Sequence, residues 1–338
     1  MKKTVSLILC VVMVIGILPV YAFAVDYSDW TYNAFRDGTA EITGYNGTDT
    51  ELVFPEEIDG YTMVAIADNA FKYKYNSNCP ITSITIPDTY KKIGNNVFSN
   101  ARNLKDINLP NTLEFIGLNA FLQTSLYLDT MDELLYNKKP LVFYIGEYLI
   151  CADQNGDMPY CYTVKPGTKL IASGAFFHCS ELKKVIIPEG VEYVNDGAFI
   201  WCDQITSVVF PNSVKKIAYG SFAASSLSAV VIPEGVEYID DNAFTDISYM
   251  TVYGVAGTLA EEFALENGLA FVELKDVVYG DVDGDGVISV NDYASMKSNV
   301  LCEIEYKGEN EIIGDMNGDC VIDGFDLFHV DMAINGLA

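Results

Sequence analysis

Oxygen-bearing side chains recur at fixed intervals in two twelve-residue stretches near the C-terminus, Asp281 to Asp292 and Asp315 to Asp326. Asp281, Asp283, Asp285 and Asp292 take positions 1, 3, 5 and 12 of the first stretch. Asp315, Asn317, Asp319 and Asp326 take the same positions of the second, and both carry isoleucine at position 8. This spacing lets a looped backbone wrap hard oxygens around Ca²⁺. Each stretch leads into a helical apolar pattern, Tyr293/Met296/Val300 and Leu327/Val330/Ile334, whose shared offsets predict two helices that pack as a pair. Residues 276–338 hold fourteen acids and two lysines, and two Ca²⁺ would offset four of the net twelve negative charges.

Other chemistry finds little footing, and no catalytic residue is assigned. The two histidines are His178, beside Cys179, and His329 in the second expected helix. A Cys–His dyad needs its side chains to meet, and adjacent residues point apart. Cys202, 23 residues after Cys179, takes the matching place in the next repeat, which reads as packing. Carboxylate pairs for glycoside hydrolysis are not singled out among so many acids.

The elements that must position these loops begin with a repeat of 22–23 residues. Its phrase runs Ile81-x-x-Ile84-x-Ile86-Pro87, then recurs at Leu104–Pro110, Leu182–Pro188, Ile205–Pro211 and Leu227–Pro233. Eleven residues after each proline stands a phenylalanine: Phe98, Phe121, Phe199, Phe222 and Phe244. Phe176 follows Pro166 by ten. A unit this short cannot bury its own apolar side, whereas stacked units bury a continuous column, so the pattern predicts a solenoid. Proline ends each strand because it cannot donate to the ladder.

The phrases Pro188-Glu-Gly-Val191-Glu-Tyr-Val194-Asn-Asp-Gly-Ala198-Phe199 and Pro233-Glu-Gly-Val236-Glu-Tyr-Ile239-Asp-Asp-Asn-Ala243-Phe244 resemble the BspA-like leucine-rich repeats of secreted bacterial proteins. The resemblance covers about residues 39–274. It implies a divergent first rung at Ile42–Thr48 and a closing helix and strand between Thr258 and Phe271. The asparagine usual in leucine-rich repeats is absent from the strand phrase.

Phe121 and Phe176 lie 55 residues apart, which marks an insert at about residues 126–165. Within it, Leu141–Ile145 and Tyr148–Ile150 flank Gly146-Glu147 and predict a β-hairpin. Asp153–Asp157 mimics the start of a calcium loop and reads as a polar turn. On the first strand of each rung Thr85, Asn108, Ile186, Val209 and Val231 fall in one outward column. Its β-branched end is either a ligand-holding stripe or strand propensity. On the second strand Glu192, Lys215 and Glu237 alternate in sign, a surface ladder of modest value.

Residues 277–338 resemble a dockerin, the calcium-folded module that binds cohesin domains on scaffold proteins. Position 12 is Asp where EF-hands use Glu, and Val277–Gly280 shows no entering helix. The resemblance implies Ca²⁺ ligation by Asp281, Asp283, Asp285, the Val287 carbonyl and Asp292, with Ser289 acting through water. In the second loop it implies Asp315, Asn317, Asp319, the Val321 carbonyl and Asp326, with Asp323 assisting. Cys320 stands where position 6 normally takes glycine; a Cβ there costs about 1 kcal/mol or more, so the second of the two sites is expected to be weaker. The implied cohesin-facing residues are Val290, Asn291, Lys297 and Ser298 in one half, and Gly324, Phe325, Asp331 and Met332 in the other. Phe325 and Met332 serve equally well as core. The halves differ chemically, which favours one binding orientation.

Lys2 and Lys3 before the apolar run Val5–Leu18, with Ala22-Phe23-Ala24 after it, read as a signal peptide over residues 1–24. No second apolar stretch approaches the ~20 residues of a membrane span. Removing the leader takes the formal charge from −27 to −29, which disfavours nucleic acid and anionic membranes as partners. Of the eight cysteines, seven follow the leader, an odd number without a scaffold spacing; Cys151 and Cys161 flank a turn and could bridge.

The expected fold is a β-rich leucine-rich-repeat solenoid, residues 25–275, followed by a small α-helical dockerin, residues 276–338, with two F-hand calcium loops. The expected function is that of a secreted, extracellular, non-catalytic cellulosome-type subunit, in a cell-surface or released complex. Its dockerin binds a scaffold cohesin, and its repeats hold a protein or glycan ligand. The alternative is a dockerin-borne polysaccharide-degrading enzyme, a glycoside hydrolase, or a peptidase.

Overall fold

A computed structural model describes residues 27–73, 79–153, 158–247, 249–274, 279–283, 287–300, 313–315, 322 and 324–335. The expected leader, residues 1–24, lies outside the described residues.

The repeat phrase folds as expected into rungs of two short parallel strands. Glu51–Val53, Ser83–Thr85 and Asp106–Asn108 pair in one sheet; Cys161–Thr163 pairs with Lys184–Ile186. Ser207–Val209, Ala229–Val231, Thr251–Gly254 and Ala270–Glu273 make a third sheet. After each proline the chain turns, as where Tyr90 N–H donates to Pro87 C=O and Val214 N–H to Pro211 C=O. A second strand follows, in one run Leu170–Ile171, Tyr193–Val194, Lys216–Ile217 and Tyr238–Ile239. An antiparallel strand, Trp30–Ala34, closes the first end on Thr39–Tyr45. At the other end the helix Leu259–Glu266 and the strand Ala270–Glu273 close the stack where the repeat resemblance placed them.

Phenylalanine binds the rungs together. Phe98, Phe121, Phe176, Phe199 and Phe222 are wholly buried. Phe71, Phe98 and Phe121 stack with centroids 5.4 and 5.5 Å apart; Phe176, Phe199, Phe222 and Phe244 stack at 5.0, 4.6 and 6.0 Å. Two residues beyond each phenylalanine the backbone enters the left-handed region: Asn100, Gln123, His178, Trp201, Ala224 and Asp246 have φ between 53° and 67°.

The insert changes the expectation of one continuous column. Helix α1, Ser125–Tyr136, opens it, and the sequence reading had not anticipated this helix. Thr124 caps α1 by accepting from Tyr127 N–H at 3.1 Å, and Tyr127 packs its ring against Phe143. The expected hairpin follows, Val142–Ile145 antiparallel to Tyr148–Ala152, with Gly146 at φ 59° in the turn. Because strand side chains alternate, its two faces serve two cores. Phe143, Ile145, Tyr148 and Ile150 join the N-terminal cluster with Ile116 and Phe121. Val142, Leu149 and Ala152 join the C-terminal cluster with Phe176 and Phe199. The neighbouring strand divides likewise, Leu170 to one core and Ile171 to the other.

Across this wall the two stacks are tied by hydrogen bonds. Asn195, wholly buried, accepts from Ile116 N–H at 2.9 Å and donates to Glu114 C=O at 3.0 Å. Ser173 N–H donates to Ile116 C=O at 2.9 Å, Tyr148 Oη donates to Pro110 C=O, and Lys169 Nζ to Asn111 C=O. Cys151 and Cys161 are not bridged to each other. Helix α2, Leu259–Glu266, buries Ala260, Phe263 and Ala264 on the last rungs. Helices α3, Val290–Val300, and α4, Gly324–Ile334, follow the acidic loops and pack on each other.

Candidate metal centre and docking module

The first acidic loop folds onto the start of α3. Asp292 lies in the first turn of that helix, wholly buried, and its carboxylate gathers three backbone donors. Oδ1 accepts from Val282 N–H at 2.9 Å and Asp283 N–H at 3.2 Å, and Oδ2 from Ser289 N–H at 2.8 Å. A carboxylate at a helix N-terminus is also favoured by the helix dipole. Ser289 itself accepts from Asn291 N–H at 3.1 Å. These bonds draw the loop's ends together, so carboxylate oxygens of Asp281, Asp283 and Asp292 lie within 4.8 Å of one another. Asp281 is 7% exposed and Asp292 0%, while Asp283 faces solvent.

Two buried carboxylates and a third at the mouth repel each other unless a cation sits among them. All donors are hard oxygens, and no thiol or imidazole belongs to the group, which suits Ca²⁺. Val287 is described and exposed, whereas Asp285 lies outside the described residues. In the second loop Asp315 and Asp326 repeat the burial of their counterparts, at 7% and 0% exposed. Asn317, Asp319, Cys320, Val321 and Asp323 lie outside the described residues.

The expected pairing of the two helices is present. Val282, Met296 and Val330 form its buried centre, with Ile288, Tyr293, Ile313, Ile322, Leu327 and Ile334 packed around them. Of the residues expected to face a partner, Val290, Asn291 and Lys297 are exposed, and Ser298 and Met332 are half-buried. The side chains of Gly324, Phe325 and Asp331 lie outside the described residues. Phe328, at 56% exposed, is an apolar surface residue that the sequence reading missed. Its place beside Leu327, off the 327/330/334 core line, was the available signal.

On the repeats, the outward β-branched column is not the exposed stripe the sequence suggested. Val231 is buried and Val209 half-buried, in a small outer cluster with Ala229, Tyr253, Val272 and Leu274. The Glu192–Lys215 pair of the charge ladder forms, with Lys215 Nζ donating to Glu192 at 2.8 Å. A second cross-rung pair joins Lys91 and Glu114 at 3.3 Å. His178 is exposed and its ring faces Trp201, whereas neighbouring Cys179 is buried, and burial pushes that thiol up to about 12.

A stacked β-solenoid with a paired-helix acidic module defines a repeat protein fitted with a docking domain. The chain belongs to the family of the BspA type leucine rich repeat region, which matches six copies over residues 60–145 and 163–260, more than half its length. A dockerin type I domain matches residues 279–335. Such a domain implies calcium-dependent assembly on a cohesin, and the repeats suggest protein binding. Both kinds of module are typical of extracellular bacterial proteins, and no described helix is long and apolar enough to cross a membrane.

Among solved structures, a leucine rich cell surface protein from Faecalibacterium prausnitzii A2-165 is 19% identical, covering 68% of this chain and 76% of its own, with a TM-score of 0.30. The T. pallidum leucine rich repeat protein is 18% identical over 73% of this chain and 97% of its own, TM-score 0.29. The pneumococcal vaccine antigen PcpA is 12% identical over 72% and 96%, TM-score 0.30. No curated protein sequence matches the chain significantly.

Proposed function

We propose that this chain is a secreted, non-catalytic subunit of a cellulosome-type complex, with a leader at residues 1–24, a ligand-binding repeat region at 25–275 and the docking module at 276–338. The dockerin holds it on a scaffold cohesin, and the repeats present a surface to a protein or glycan. The observation that carries this reading is the convergence of Asp281, Asp283 and Asp292 at the start of α3. Of the full expected ligand set, Asp285, Val287, Asn317, Asp319, Val321 and Asp323 complete the two loops around Asp315 and Asp326. Two Ca²⁺, one to each loop, would offset part of the negative charge gathered there.

The test is capture of the full chain on immobilised cohesin domains with Ca²⁺ and with chelator. Calcium-dependent retention is expected, lost in the double variant Asp281→Ala, Asp315→Ala, with the β signal of the repeats unchanged. Retention that ignores chelator would overturn the docking reading. Incubating the full chain with plant polysaccharides and proteins tests the second half; robust turnover would replace a binding subunit by an enzyme.

A further inference from the structure

The first-strand sheet of the N-terminal stack stops at Asp106–Asn108, which among the described strands pairs with Ser83–Thr85 alone. Ile86 N–H donates to Asn108 C=O at 3.0 Å, and Asp106 N–H donates to Thr82 C=O at 3.3 Å, so the peptide groups of Asp106 and Asn108 face back into the sheet. Alternation turns the N–H and C=O of Ile107 to the opposite edge. Lys105 C=O and Leu109 N–H point the same way, because Thr82 C=O and Ile86 N–H, one rung earlier, serve the next rung. The next first strand in the chain, Cys161–Thr163, comes after the insert and pairs with Lys184–Ile186 instead.

The side chains tell the same story. The Ile107 position is 2, 4, 2 and 0% exposed at Ile84, Val185, Val208 and Val230, and the Leu109 position is 2, 4, 2 and 0% at Ile86, Ile187, Phe210 and Ile232. Ile107 and Leu109 themselves are only half-buried at the rim of their core. A groove of about 390 Å³ runs along one side of the strand beside Leu126. Another of about 300 Å³ lies between Leu109–Asn111 and the hairpin turn at Gly146–Glu147. Leu126 N–H closes one end by donating to Leu104 C=O. At the other end Glu147 keeps one buried carboxylate oxygen, Oε1, without a hydrogen-bond partner.

We propose that this open strand docks an extended peptide segment of a partner protein, apolar and cationic by turns, which adds to the sheet beside Asp106–Asn108. Its backbone meets Lys105 C=O, Ile107 N–H and C=O, and Leu109 N–H. An apolar side chain covers Ile107 and Leu109, and a lysine or arginine reaches Glu147. Unpaired amides call for amides, which selects a polypeptide over a glycan. The formal charge of −27 selects a basic one. The five positions from Lys105 to Leu109 span roughly 13 Å of edge at about 3.3 Å per residue, room for a peptide of the same length. This site rests on the protein-binding reading of the repeats and gives it a place.

The test titrates the calcium-loaded full chain with a labelled Lys-Val-Lys-Val-Lys peptide. Two N-methylated forms, one methylated at the valines and one at the lysines, and a Glu-Val-Glu-Val-Glu peptide run beside it. Saturable binding of the parent peptide is expected, with one methylated form weakened at least about tenfold and the other spared, since alternate amides face the edge. The glutamate peptide should not bind, Glu147→Gln should weaken the lysine peptide several-fold, and amide exchange should slow at residues 105–109. No saturable binding, equal binding of both methylated forms, or protection elsewhere would overturn the site. So would a concentration-dependent dimer whose protected amides are those of 105–109, which gives the edge to a second copy. A partner captured by the repeats through another face, with no peptide bound here, sinks this site and leaves the wider reading standing.

Discussion

Asn195 replaces a missing strand with one side chain. Both its amide groups are used by the backbone of Glu114 and Ile116, at the point where the N-terminal stack meets the wall of the C-terminal one. Asn195→Leu keeps the volume and leaves the buried Ile116 N–H and the part-buried Glu114 C=O without this partner. A loss of about 1–3 kcal/mol is expected, read from the urea midpoint. The buried acids of the core give a pH prediction. Burial pushes the thiol of Cys179 from 9.0 up to about 12 and the phenol of Tyr127 from 10.0 to about 12. Both pKa values are raised on folding, so their contribution is complete below about pH 9 and is lost as pH climbs toward 12. Urea midpoints should hold level to about pH 9 and fall above it. Cys179 and Cys202, 2% and 0% exposed, should resist thiol reagents at neutral pH until the chain unfolds. The burial of Cys179 and Cys202 was legible from their matching places in successive repeats, but the Asn195 contacts were not: Asn195 stands in a turn phrase beside Asp196 and Gly197, and its partners lie 79 and 81 residues away.

At the scale of elements, the phenylalanine stacks carry the solenoid. Phe199 lies mid-stack, 5.0 Å from Phe176 and 4.6 Å from Phe222, while Phe244 is 6% exposed and 6.0 Å from its neighbour. Phe199→Ala should cost about 3–5 kcal/mol by denaturant unfolding, and Phe244→Ala less. These stacks were legible because every rung repeats one residue at one interval. Helices α3 and α4 were legible for the same reason, their apolar offsets being shared. Helix α1 was not: its Thr124 cap and its Leu126, Tyr127 and Met131 fall inside an insert with no second copy to compare. Among the described residues the paired helices bury Val282, Met296 and Val330 at their centre, and in so small a module metal binding is coupled to folding. Chelating calcium should therefore remove most of the helical signal of α3 and α4 while the β signal persists, seen by circular dichroism. Asp292→Ala, which strips three amides of their acceptor, should have the same effect with calcium present.

For the whole molecule, the insert matters more than its length suggests. The repeat phrase correctly implied stacked rungs, and the hairpin was visible from Gly146-Glu147 between two apolar runs. What the phrase could not imply was that the hairpin presents one face to each stack, because alternation in a strand buried on both sides looks the same as ordinary apolar sequence. Of the exposed stripe expected at Ile186, Val209 and Val231, the last two are covered for a related reason. The chain after Ala270–Glu273 brings Leu274 onto that outer face, a contact between distant segments. Two cores predict two unfolding events. Tyr148→Ala, which takes a side chain from the N-terminal core, should lower that core's transition and spare the other in a calorimetric scan.

The left-handed residue two places beyond each phenylalanine is held by backbone bonds, as where His178 N–H donates to Ile200 C=O and Trp201 N–H to Ala223 C=O. Those bonds do not depend on which side chain is present, and asparagine, glutamine, histidine, tryptophan, alanine and aspartate all occupy the position. Selection can therefore rewrite that column one letter per turn at small cost to stability, so the solenoid offers an ordered row of variable addresses whose spacing is fixed and whose chemistry is not.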